Sequence, residues 1–73
     1  MEETILKIAE SRGGKYRLEL YQDEDKRFFN IREYENGRHT AGGYNYPIQQ
    51  LAEKWQELIN FNEKYNGIRY IER

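Results

Sequence analysis

Arginines and aromatic residues at alternating positions are the side chains here best suited to surface chemistry. Arg17 and Tyr21 share one side of the stretch Lys15 to Gln22, and Phe28, Arg32 and Tyr34 share one side of the stretch Arg27 to Glu35. In an extended chain, side chains two apart lie on one face. The two stretches together therefore make an aromatic and basic platform. Aromatic rings stack nucleobases of any sequence, at about 1–3 kcal/mol per base, and guanidinium groups neutralise phosphates. Lys15 and Arg38, with Lys7, Arg27 and His39, widen the positive field. A second reading fits the same residues. Glu19 sits in the middle of the platform, where it would repel phosphate and pair with Arg32, and Phe28 suits a dimer interface. On the residues alone both readings stay open.

Other chemistries find too few groups. Asp23, Glu24 and Asp25 offer oxygen ligands, but the glycine and closing glutamate of a calcium loop are missing at the required spacing, as are its flanking helices. They read as a solvated turn. His39 is the single histidine and there is no cysteine. A zinc site that wants about three protein ligands is therefore short of them. Ser11 is the single serine, and it lies in a glycine turn far along the chain from His39, so no Ser-His nucleophile is expected. Gly13-Gly14 is not followed by a Lys-Ser/Thr pair opening a helix, which removes the phosphate-loop reading. The expectation is a non-enzymatic chain with no cofactor and no bound metal.

The elements that must position these residues follow from periodicity. Thr4 to Glu10 carries Ile5, Leu6, Ile8 and Ala9 around Lys7 and reads as a short strand, after a frayed acidic start over Met1 to Glu3. Ser11-Arg12-Gly13-Gly14 is a turn. In the next strand Tyr16, Leu18 and Leu20 oppose Arg17, Glu19 and Tyr21. In the strand after it, Phe29 and Ile31 oppose Phe28, Asn30, Arg32 and Tyr34. Asn36-Gly37 predicts a two-residue type I′ hairpin with Glu35 opposite Arg38 and Tyr34 opposite His39. A fourth strand runs from Arg38 toward Tyr44, bent by Gly42-Gly43.

Pro47 to Tyr65 then switches to helical spacing. Ile48, Leu51, Ala52, Trp55, Leu58 and Ile59 form an apolar stripe, with Pro47 at the first helical position and Asn66-Gly67 as the stop. Phe61 and Tyr65 lie beside the stripe and, with Tyr70, extend the apolar surface as a cover for the sheet end or a patch for a partner. Ile68 to Ile71 is a candidate short closing strand. The expected fold class is α+β: a four-stranded antiparallel sheet over about 4–44, then one C-terminal helix over about 47–66 packed on one face, in one domain spanning 1–73.

Seventy-three residues with a formal charge of -1 and no cysteine bound the rest. A chain of this size buries only about 60% of its unfolded surface. No disulfide can staple it. No apolar run approaches the ~20 residues of a membrane span. No basic segment followed by an apolar core opens the chain, so a cytoplasmic location is expected.

At Phe29-Asn30-Ile31-Arg32-Glu33-Tyr34 the sequence resembles the PC4 family of single-stranded-DNA-binding coactivators, which carry an Ile-Arg-Glu-Tyr-like strand, a glycine-containing connection and a Trp-bearing helix. Here these correspond to Ile31 to Tyr34, Gly42-Gly43, and Pro47 to Ile59 with Trp55. Leu6-Lys7-Ile8-Ala9-Glu10, followed by Gly13-Gly14 and Arg17-Leu18, is similar to a strand pair of PUR-type repeats, which share the strand-helix order. The resemblance implies a homodimer gripping single-stranded nucleic acid on its sheets, with Arg32 and Tyr34 matching most closely, then Lys15 and Arg17. The resulting expectation is a single-stranded nucleic-acid-binding module using Lys15, Arg17, Tyr21, Phe28, Arg32, Tyr34 and Arg38. The alternative is a small protein-binding adaptor or inhibitor of phage or mobile-element type, favoured by balanced charge and seven tyrosines, since Tyr and Arg are enriched at interface centres.

Overall fold

The computed structural model describes residues 3–73, so the start expected at Met1 and Glu2 lies outside the described residues. Strands β1 (Thr4–Ser11) and β2 (Tyr16–Gln22) form an antiparallel hairpin. Ser11 closes its turn: its carbonyl accepts the Gly14 N–H at 2.9 Å and its hydroxyl oxygen accepts the Tyr16 N–H at 3.0 Å. Strand β3 (Phe28–Glu35) pairs with β2, and β4 (Arg38–Gly42) returns along β3. Asn36 and Gly37 take φ of 52° and 81°, as a primed turn requires. The turn sets Glu35 opposite Arg38 and Tyr34 opposite His39, the register expected from Asn36-Gly37.

One strand beyond those expected joins the sheet, and the candidate closing strand is present. β5 (Tyr46–Pro47) pairs with the start of β3, and β6 (Tyr70–Glu72) pairs with β1. Among the described residues the sheet has six strands in the order β4-β3-β2-β1-β6, with β5 beside β3. Contacts with distant parts of the chain explain both strands. The Tyr46 ring packs on Phe29 at 5.6 Å between centroids, and the Ile48 N–H donates to the Arg27 carbonyl at 2.9 Å. After the helix, Gly67 at φ 66° reverses the chain, Tyr70 packs on the core, and the Arg73 N–H reaches the Ile8 carbonyl at 3.0 Å. The closing strand thus lies slightly later than Ile68 to Ile71. It covers an edge of β1 that would otherwise present unpaired backbone groups.

Pro47 is not the first helical residue. It pairs with Phe28 and has ψ 141°, which places it before a 3₁₀ turn over Ile48–Gln50. A proline without an N–H is tolerated there, at a sheet margin. Helix α1 then runs Leu51–Asn66 and ends on Gly67. It lies on one face of the sheet. Ala9, Leu18, Leu20, Phe29, Ile31 and Trp55 are buried together, with Tyr46, Ile48, Leu51, Leu58, Ile59 and Tyr70 packed around them.

Two positions depart from the expected stripe. Ala52 is exposed, and Asn62 is buried in line with Trp55. Asn62 fits there because its polar atoms are used. Its amide donates to the Leu58 carbonyl at 2.9 Å, its side-chain oxygen accepts from Asn66 at 3.0 Å, and its own carbonyl takes the Gly67 and Ile68 N–H groups. Phe61 and Tyr65 are exposed and stack on each other at 4.9 Å. Since Tyr70 packs into the core, the three do not make one patch.

Candidate interaction face

The sheet face away from α1 is positioned by the pleat. Leu18 and Leu20 of β2 and Phe29 and Ile31 of β3 are buried under the helix, which turns Arg17, Glu19 and Tyr21, and Asn30, Arg32 and Tyr34, to the other side. The register sets Arg17 opposite Tyr34, Glu19 opposite Arg32 and Tyr21 opposite Asn30.

Glu10 pairs straight across with Arg17, but Glu19 and Arg32, although opposite each other, take other partners. Arg17 donates through Nε to Glu19 at 2.7 Å and reaches Glu10 at 3.4 Å. The Tyr21 hydroxyl donates to the other oxygen of Glu19. Arg32 is clamped by Glu3, with its Nη2 at 2.7 and 2.8 Å from the two carboxylate oxygens, and its guanidinium lies 4.0 Å over the Tyr21 ring. Arg32 also donates through Nε to the Asn30 side chain at 3.1 Å, and Asn30 is buried beneath it although it belongs to the outer face. Arg73 adds a second cation to Glu10 at 2.9 Å. Glu3, Glu10 and Glu19 thus face Arg17, Arg32 and Arg73, and the network is neutral.

Proton affinities follow from these contacts. The Arg32 hydrogen bond holds the Glu3 carboxyl below its usual value, against the cost of burial. Burial opposes ionisation of Glu19, but hydrogen bonds from Tyr21 and Arg17 outweigh it and its pKa also falls. The same bond to Glu19, with burial added, pushes the Tyr21 hydroxyl up to about 12. Arg32 is raised further by Glu3, against the cost of burial. All these groups keep their charge or neutrality across the ordinary pH range, so none is poised as a proton-transfer catalyst near neutrality.

Of the residues expected to form the platform, Arg17, Tyr21, Arg32 and Tyr34 converge. Phe28 stands at the start of β3 beside Pro47, exposed at the rim of the face. Lys15 directs its ammonium over the Tyr16 ring at 5.2 Å, away from the platform. Arg38 opposes Glu35 at the hairpin tip, on the helix side of the pleat. His39 packs beside Tyr34, 5.5 Å between ring centroids. Asn30 lies on the face as its alternation predicts, whereas Glu3, Glu10 and Arg73 belong to the face and are not suggested by its aromatic-basic pattern. Asp23 to Asp25 form a turn in which Asp25 accepts the Arg27 N–H at 3.0 Å. Among the described residues, no three carboxylate, histidine or cysteine groups are placed to hold a metal ion, and no helix is long and apolar enough to cross a membrane.

Compared with known proteins, the chain matches no family model, and neither the curated proteins nor the solved structures give a match.

Proposed function

We propose that this chain is a non-enzymatic protein-binding module that uses the sheet face away from α1. One observation carries the reading: each arginine of that face is already held by a carboxylate, with Arg17 on Glu10 and Glu19, Arg32 on Glu3, and Arg73 on Glu10. A phosphate would have to displace those partners and then meet three carboxylates. A protein partner meets instead a neutral surface of tyrosine and arginine with fixed side chains, the composition enriched at interface centres. Pre-paired side chains also lose less rotamer freedom when a partner lands on them.

The single-stranded nucleic-acid reading keeps one specific support. Arg12 and His39 stand at the Gly13-Gly14 and Asn36-Gly37 end of the sheet, His39 beside Tyr34, and form no ion pair among the described residues. Strands laid from that end across Tyr34 would find charge and a stacking surface. The two readings separate in one pair of measurements on the full chain. Affinity capture with the wild type and with Tyr21→Ala/Arg32→Ala is expected to recover one stoichiometric protein that the double variant loses. Oligonucleotide titration at low salt is expected to show no single-strand binding. Tight binding that falls steeply with salt, as counterion release demands, would overturn the protein reading and establish the other.

A further inference from the structure

The helix leaves one flank of its own side of the sheet open. Ile31, Ala41, Gly42 and Tyr44 on the sheet side, and Lys54 and Leu58 on the helix, enclose a groove of about 370 Å³. Ile31 and Ala41 give it an apolar floor. Glu33 also lines it and forms no ion pair among the described residues. Along the helix, Lys54, Leu58, Phe61 and Tyr65 follow at four-, three- and four-residue steps, one continuous stripe. The stacked Phe61–Tyr65 pair therefore stands on the flank that walls the groove, a turn further on, as an unfilled ridge beside an unfilled hollow.

We propose that this flank binds a second copy of the same chain, in a two-fold arrangement that seats the Phe61–Tyr65 ridge of each copy in the groove of the other. A two-fold interface uses one self-complementary patch, so ridge and hollow must lie on the same flank, as they do here. The chemistry of the two parts matches. The Phe61 ring suits the Ile31 and Ala41 floor, and the Tyr65 hydroxyl supplies a donor for Glu33. Lys54 and Glu57, 3.7 Å apart, give the groove wall both signs, so two copies do not meet as like charges.

Area supports the same occupant. An aromatic side chain offers ~200 Å², so the exposed fractions of Tyr44, Phe61 and Tyr65, 73, 54 and 65%, amount to roughly 400 Å². That is about half of the ~800 Å² each partner buries in a stable interface, before the groove walls and the free edge of β4 are included. The surface is separate from the outer face, so this inference does not depend on the reading given there.

Sedimentation or light scattering of the full chain from ~1 to ~300 μM tests it, because a specific small dimer falls in the micromolar range. The wild type is expected to dimerise. Phe61→Ser and Ala41→Gln, both at exposed positions, are expected to raise the dimer dissociation constant roughly 30-fold, the loss typical of a central anchor. Ile71→Ser, on the opposite face, is expected to leave it unchanged. Near-ultraviolet dichroism of Trp55 confirms that each variant is folded. A wild type monomeric throughout overturns the proposal and leaves the groove to another protein's segment. A dimer that either groove variant leaves intact, or that Ile71→Ser breaks, overturns it as well.

Discussion

Gly42→Ala, compared with Gly43→Ala, measures how closely β4 is drawn onto β3. A methyl group on Gly42 would lie 2.1 Å from the Ile31 carbonyl oxygen and 2.9 Å from the Arg32 Cα, both backbone atoms that cannot swing aside, and Gly42 sits at φ 109°. Gly43 has a similar φ of 96° with nothing within 4 Å of the added methyl. Both substitutions incur the positive-φ cost of roughly 1–2 kcal/mol. Both also lower the entropy of the unfolded chain equally, so that contribution cancels in the comparison. Only Gly42→Ala must also push two strands apart, which adds about 1–3 kcal/mol by analogy with overpacked cores and strains the Gly43 N–H bond to the Ile31 carbonyl, 3.3 Å long. The expected losses are about 2–5 kcal/mol for Gly42→Ala and about 1–2 kcal/mol for Gly43→Ala. A domain of this length holds on the order of 4–11 kcal/mol in total, so the first variant loses a large share of it. Trp55 is the sole tryptophan and is buried, so its fluorescence reports urea unfolding directly. If the two variants differ by less than about 0.5 kcal/mol, within the spread of ordinary surface substitutions, the tight β3–β4 approach is wrong.

Two further outcomes follow from side-chain contacts. The buried Trp55 indole N–H donates to Glu72, so Glu72→Ala should cost about 1–2 kcal/mol while Glu72→Gln, which keeps an acceptor, should cost under about 0.5 kcal/mol in urea titrations. Equal losses would show that the contact does not tie β6 to the helix. Stability should also depend on pH at both extremes. Glu3 and Glu19 have lowered pKa values in the fold, so their contribution is present above the unfolded carboxylate range and disappears as pH falls through the folded values. Glu19→Gln should flatten that acid limb. Tyr21 and Tyr70 are raised to about 12 from 10.0, Tyr21 first by its bond to Glu19 and Tyr70 first by burial. Their contribution is complete below pH 10 and is lost as pH rises toward 12. Thermal melts of the wild type and Tyr21→Phe across both limbs check the signs, and an alkaline limb unchanged in Tyr21→Phe would count against the Tyr21–Glu19 bond.

The parts of this fold that can be read from sequence are those governed by a long period. Alternation over β2 and β3 assigns Leu18, Leu20, Phe29 and Ile31 to the core because one face of the sheet is covered and the other is not, and a one-residue slip would reverse every side chain. The helix shows itself through Trp55, Leu58 and Ile59 for the same reason. β5 is two residues long, too short to hold a period, and the three residues of β6 mark the candidate closing strand only by its apolar content, not its bounds; both exist because Tyr46, Tyr70 and Glu72 find partners made by distant parts of the chain. Asn62 lies outside the apolar stripe, and its burial depends on local carbonyl and amide partners at the end of α1.

The same distinction decides how the outer face should be understood. Its aromatic and basic pattern is visible in Arg17, Tyr21, Arg32 and Tyr34. Its neutrality is not visible in that pattern, because it depends on which carboxylates arrive from β1. Glu10 meets Arg17 through the simple hairpin register and could have been counted across the Ser11–Gly14 turn. Glu3 meets Arg32 from just before a strand whose register shifts between Ile5 and Lys7, and an irregularity of that kind has no signature in residue spacing. A surface that looks cationic residue by residue thus becomes neutral once β1 is laid beside β2, and this is why the pairing of the arginines, more than their number, carries the choice between a phosphate backbone and a protein partner.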